Sequence, residues 1–274
     1  MISQDHMREA EDIEMAGLCA LHDAADCPLR DRLGLRVEEV GDGVASVAGA
    51  LPASAITINR MLGLGRARPP QVAAVQAAID LYRGANVERF FLQPDPGTSD
   101  DRIALICEAA GLERARAWQE FTRGRDDPLP EVDSAFTIRE VGAAEGEAFA
   151  TIVCDAFDLG SAARPWIARL PSAAGWHALM AFSGDTPAGT GALYISGKAA
   201  FTDFGATAPA FRGRGAQTAN LAQRVRAALE MGCTRVHTCT GVAVAGDPQQ
   251  SYANILKCGF RESHVRAAWQ PVRR

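Results

Sequence analysis

A chain of 274 residues has room for two domains at ~150 residues each. Apolar residues make up 47% and charged residues 22%, a globular composition that excludes a disordered or fibrous chain. The 28 basic and 33 acidic residues leave a net charge of -5, the wrong sign for life on phosphate backbones, which excludes nucleic acid as the principal partner.

Alanine supplies 51 residues, favouring helix and close packing over bulky β-sandwich filling, so mixed α and β is expected. The seven cysteines show no CxxC pair and no Cys/His ligand spacing; they fit a reducing cytoplasm with neither disulfide framework nor metal site. The start, MISQDHMREAEDIE, is polar and acidic where a signal peptide would be basic and then apolar, and no stretch nears ~18 uninterrupted apolar residues. A cytoplasmic protein without membrane contact is the expectation.

An amphipathic helix is predicted over about 5–25, followed by a hairpin in which LRVEEVG (35–41) and GVASVAGAL (43–51) flank a Gly-Asp-Gly turn. AITINRM (55–61) reads as a third strand. Pro69 and Pro70 open a helix to about 83, and VERFFLQ (87–93), a helix over about 98–110 and a strand ERARAWQEF (113–121) complete the first half. Gly124 to Asp133, GRDDPLPEVD, carries four acids and two prolines and reads as a linker.

Beyond it come FTIRE (136–140), two short helical patterns between 143 and 170, and three strands, WHALMAFSG, AGTGALYIS and AAFTDFGAT, reaching 207. A helix from near Gly215 to about 231, a strand at 234–240, a helix at 248–258 and a last strand at 261–270 follow. The two halves share one order of elements. Gly84 and Gly111 stand at the same separation as Gly232 and Gly259, and Trp118-Gln119 and Trp269-Gln270 close the two final strands. The expected organisation is α/β (α+β) in two copies, residues 1–124 and 134–274, with the linker at 125–133.

Arg212-Gly213-Arg214-Gly215-Ala216-Gln217 lies between a strand and a long helix. Glycines there let consecutive N–H groups point one way, and the helix start adds its positive dipole end, which makes a cradle for pyrophosphate. The dinucleotide fingerprint GxGxxG fails at Thr218, and no Gly-Lys-Ser/Thr supplies a P-loop. The segment resembles instead the Arg/Gln-x-x-Gly-x-Gly/Ala cofactor motif of the GNAT N-acetyltransferases. Arg212-x-x-Gly215 matches it, the approach through Pro209 and Phe211 resembles the family's, and Ser251-x-x-Asn254 before Gly259-Phe260 resembles its second signature. The resemblance covers 136–271, while 1–123 looks like a second copy. It implies two tandem GNAT-like domains, each a mixed, mostly antiparallel central sheet flanked by helices.

Three positions depart from the family pattern. Gln217 stands where the family places Gly or Ala, so its side chain must point away from the phosphates. The tyrosine that protonates the leaving thiolate in many members falls at Ile255, leaving Tyr252 as the nearest hydroxyl and the candidate acid. In the first half the matching segment runs from Gly63 to Pro70 and ends in two prolines, which remove two amide donors. That copy is expected to lack a cofactor cradle.

What the resemblance implies is direct acyl transfer from acetyl-CoA to a small-molecule or peptide amine. The cofactor would lie on Gly205, Ala206, Thr207, Arg212, Gly213, Arg214, Gly215, Ala216, Gln217, Ser251 and Asn254, with a backbone N–H near Gly205–Thr207 stabilising the oxyanion. Asp203, the acid on the strand that reaches the thioester, is the candidate general base, against the alternative of an Asp on a solvated strand face. His237 and Cys239 read as core groups, and Phe157, Trp166 and Trp176 as core aromatics or the lining of an acceptor pocket. Ile255 and Gln217 keep a second reading open, a catalytically silent acyl-CoA-binding or sensing module. A homodimer is left open as well.

Overall fold

Ser3 caps the first helix, its hydroxyl accepting from the His6 amide at 3.3 Å. The helix, α1 (Gln4–Asp23), buries a stripe of Ala10, Ile13, Gly17, Leu18 and Leu21 that also carries Glu11 and Glu14. Asp26 then caps α2 (Cys27–Leu33), which Gly34 closes at a φ of 62°. The sequence pattern missed α2 because seven residues are too few to show helical periodicity. The computed structural model that shows this describes residues 3–98, 100–129, 131–247 and 249–272. Ser99 and Pro248 of the expected helices and Pro130 of the expected linker lie outside the described residues.

β1 (Leu35–Val40) and β2 (Gly43–Ala48) form the expected hairpin, Val40 opposite Gly43. The third strand lies later than expected. Residues 55–59 turn, Asn59 Oδ1 accepting from the Ala48 amide at 2.8 Å in place of a ladder bond, and β3 spans Arg60–Leu64. α3 (Val72–Gly84), β4 (Phe91–Pro94), α4 (Asp100–Ala109), β5 (Leu112–Arg114) and β6 (Trp118–Gly124) follow. The second half holds β7 (Thr137–Val141), α5 (Gly146–Ala156), α6 (Arg164–Ile167), β8 (Trp176–Ser183), β9 (Thr186–Ser196), β10 (Ala199–Thr207), α7 (Ala216–Glu230), β11 (Arg235–Gly241), α8 (Gln250–Lys257), β12 (Arg261–Arg266) and β13 (Trp269–Pro271). No described helix is long and apolar enough to cross a membrane.

Two mixed sheets result, ordered β1-β2-β3-β4-β13-β5 and β12-β6-β11-β10-β9-β8-β7. All pairs are antiparallel except β3 with β4 and β10 with β11. The halves exchange their final strands. β6 lies between β11 and β12, with Trp118 opposite Gly241, and β13 lies between β4 and β5, with Trp269 opposite Leu92 and Arg114. Position 124 is therefore no boundary between sheets: β6, placed by the sequence in 1–124, completes the second sheet, and β13, from 134–274, completes the first. The spans 113–121 and 261–270, expected as single strands, each break at this crossing, where the Ala115 amide donates to the Ala268 carbonyl at 2.8 Å. Trp269 is fully buried in the first half's core, so separating the halves would expose its indole.

Candidate active site

β10 and β11 pair only from Ala199–Phe201 against Arg235–His237. Thr238 Oγ1 donates to the Thr202 carbonyl at 3.0 Å, and beyond that stitch the strands part. A bulge between Asp203 and Ala206 bends β10: Phe204 takes a φ of 49°, held by its amide donating to Asp203 Oδ1 at 2.6 Å. Arg224 of α7 supports the bulge, its Nη1 donating to the carbonyls of Ala192 and Asp203 at 3.1 and 3.0 Å. The guanidinium fits because two strand positions lack side chains. A Cβ on Gly191 would lie 2.5 Å from Arg224 Cζ, and one on Gly205 3.2 Å from Nη2. Burial pulls the Arg224 pKa down to about 10.

The parted strands open a cleft of about 260 Å³, and Gly205, Gln217, Ser251 and Asn254 of the expected cofactor residues meet in it. Gln217 turns to α8: its Oε1 accepts from Asn254 Nδ2 at 3.1 Å, and its Nε2 lies 3.5 Å from Ser251 Oγ. Ala206 and Thr207 rejoin β9 opposite Thr190 and Gly189. Gly213 and Gly215 have φ values of 75° and 85° with open space where a Cβ would stand, and no side chain caps α7. Its first-turn N–H groups are thus left for an anion, and the diphosphate of a coenzyme A fits that arrangement. Arg212 is exposed, its Nε 3.4 Å from the Thr207 carbonyl. Arg214 departs from expectation, since its guanidinium stacks 5.2 Å from the Phe136 ring and 5.5 Å from Phe211, with Ala216 buried beside them.

Asp203 lines the cleft half-buried, and desolvation raises its pKa against the pull of Arg60 and of the Phe204 amide. Tyr252, the candidate acid, requires correction. Its hydroxyl donates to Glu262 on β12 and its ring meets Phe121 edge-on at 4.9 Å, so it is turned off the cleft that Ile255 lines. Burial and the Glu262 carboxylate push its pKa up to about 12. Phe157 and Cys239 line the cleft; the Cys239 thiol, raised by burial, donates to Glu14 at 3.7 Å. His237 is buried 3.5 Å from Glu9, and Trp166 is core, its Nε1 donating to the Leu21 carbonyl at 2.8 Å.

The first half contributes side chains that sequence reasoning missed. Thr57, Arg60 and Trp118 line the same cleft. Arg60 Nη1 donates to Glu14 at 2.5 Å while its guanidinium stacks 5.0 Å from the Trp118 ring. Behind it Arg266 bridges Glu11 at 2.9 Å and both Glu14 and Glu120 at 2.7 Å, occupying the space where Glu14, Glu120 and Cys239 would otherwise resemble a metal site. Desolvation works against Glu14, yet Arg266 and Arg60 hold its pKa down at about 2; burial drives Glu120 well up. One signal for Arg224 was present in the sequence: Ala216, Asn220, Arg224 and Ala228 form a buried stripe at helical spacing, broken by two polar residues.

The matching turn of the first half is already filled. The Asp42 carboxylate accepts from the amides of Gly65, Ala67 and Arg68 at 2.9, 2.7 and 3.1 Å, taking the place a phosphate would hold.

Residues 147–260 match the acetyltransferase (GNAT) family. They form a GNAT domain. Around it the chain has the fold of solved GNAT proteins over nearly its whole length. A GCN5-related N-acetyltransferase from Kribbella flavida aligns at 19% identity over 97% of this chain and 96% of that one, with a TM-score of 0.62. One from Sphaerobacter thermophilus aligns at 16% over 96% and 91%, TM-score 0.59. A tandem GNAT protein from the clavulanic acid biosynthesis pathway aligns at 16% over 98% and 96%, TM-score 0.54. No curated protein sequence matches the chain. The two sheets are thus GNAT-like units in tandem, and the splayed β10 and β11 belong to the GNAT domain.

Proposed function

We propose that the chain is an acetyl-CoA-dependent N-acetyltransferase that transfers the acyl group directly to a small-molecule or peptide amine. One observation carries the reading: a single cleft at the parting of β10 and β11 collects Asp203 and Gly205 with Gln217, Ser251 and Asn254. Acetyl-CoA supplies the activated thioester. The open amides at the start of α7 and the Arg212 cation hold its diphosphate, while Ser251 and Asn254 border the arm that enters the cleft. Main-chain N–H groups of the bulge near Gly205 face the carbonyl oxygen as it gains charge. Asp203 takes the amine proton, directly or through water, a role suited to a carboxylate raised by burial. With a thiol pKa of ~8.5, the thiolate departs at neutral pH without a tyrosine donor, though more slowly. The self-filled turn at Asp42 supports a first half without cofactor.

A screen of amines with acetyl-CoA, following free thiol, tests the reading; thiol release with at least one amine is expected. Ile255 in the cleft and the engagement of Tyr252 with Glu262 favour a second reading, a silent acyl-CoA sensor. Coenzyme A binding without release from any amine would select it.

A further inference from the structure

The acceptor end of the cleft contains donors without partners. Arg60 is 3% exposed, Glu14 takes only its Nη1, and its Nε has no hydrogen bond; Thr57 Oγ1 beside it is buried without a partner. Both side chains line the cleft together with Asp203. A void of about 10 Å³, enough for one water, lies behind them against Glu14 and Asp203. Trp118, stacked on the guanidinium, fixes the plane of the fork, and the free Nε edge is one on which a planar carboxylate sits.

The geometry points to an acceptor amine that also carries a carboxylate, an α-amino acid in its simplest form, with Arg60 and Thr57 holding the carboxylate and Asp203 facing the amine. The inference rests on the N-acetyltransferase reading and names its substrate class. In the transfer the amine nitrogen bonds to the acetyl carbonyl carbon, the carbon–sulfur bond breaks with its electron pair on sulfur, and the amine proton passes to Asp203 and on to the thiolate.

The test uses the full chain, acetyl-CoA and proteinogenic amino acids, each paired with its α-amide and its decarboxylated amine, with thiol release as the readout. A kcat/KM at least tenfold higher for some acid than for its own amide is expected. Arg60→Gln should erase that preference by lowering kcat/KM for the acid far more than for its amide, and Thr57→Val should reduce it severalfold. Because the preference is a ratio within one protein, loss of folded protein cancels. Equal use of acids and amides by the wild type, or an Arg60→Gln that lowers both alike, overturns the inference and leaves the acetyltransferase reading standing. Should no amine release thiol, that reading fails; calorimetry of the same pairs then decides the site, with binding of acid and amide alike overturning it.

Discussion

Arg224 donates to the main-chain carbonyl of Asp203 at 3.0 Å, so the strand that carries the candidate base is held by a cation from the helix that begins at the cradle. Asp203 is the last residue of β10 in register with β9 before the bulge, opposite Ala192, and Arg224 donates to both of their carbonyls from a buried position. Hydrogen bonds from a charged group contribute about 1.5–3 kcal/mol each. Arg224→Met is therefore expected to lower the urea midpoint and to reduce turnover more than coenzyme A affinity. A midpoint equal to wild type would show that the carbonyls find other donors.

The two glycine turns make opposite use of the same backbone geometry. At Gly65 the amides are spent on Asp42, while at Gly213 and Gly215 they are open, which sets an expected stoichiometry of one coenzyme A per chain. Gly215→Asp should abolish binding by placing a carboxylate against the diphosphate. Gly215→Ala, which meets only the strain of a φ of 85°, should weaken binding less. Calorimetry with two sites, or with the two variants alike, would contradict this.

Sequence patterning reached the elements because helix and strand periods are local, and it singled out Gln217, Ser251 and Asn254 from two separate short segments that the fold brings to one cleft. It did not reach Arg60 or Trp118. Arg60 is the penultimate residue of the segment read as a strand at 55–61, and only the exchange of β6 brings Trp118 opposite Gly241. Nothing in local periodicity distinguishes a final strand that closes its own sheet from one that closes its neighbour's. Tyr252 failed for a local reason: three positions before Ile255, it projects from another face of α8, where Glu262 meets it.

Glu14 joins the halves electrostatically, contacting Arg60 of the first sheet and Arg266 of the second. Glu14→Gln leaves two buried guanidinium groups short of a counter-charge and is expected to cost about 3–5 kcal/mol. Its carboxyl is held below the ordinary value, so the stability it contributes is present above the unfolded pKa and lost as pH falls through the folded one. Wild-type stability should fall between about pH 4.5 and pH 2, and Glu14→Gln should show a shallower decline over that range. Parallel pH–stability curves would remove Glu14 from the account.

Asp203 should trade stability for turnover. Burial raises its carboxyl above the ordinary value, so the folded chain holds that proton more tightly than the unfolded one. Its stabilising contribution is complete below the unfolded value of ~3.9 and is lost as pH rises through the folded value. Ionising this carboxyl therefore costs the fold stability. Asp203→Asn keeps an oxygen to accept from the Phe204 amide, and it should raise Tm at pH 7 with little change near pH 3. The same variant should lose ~10²–10⁴ in turnover with coenzyme A affinity kept, and regain part of it at high pH, where the amine arrives deprotonated. An ordinary solvated strand residue would change turnover less than about threefold. Thermal melts at the two pH values, set beside the pH–rate profiles of both proteins, decide the point: unchanged Tm and superimposable profiles would take Asp203 out of the mechanism.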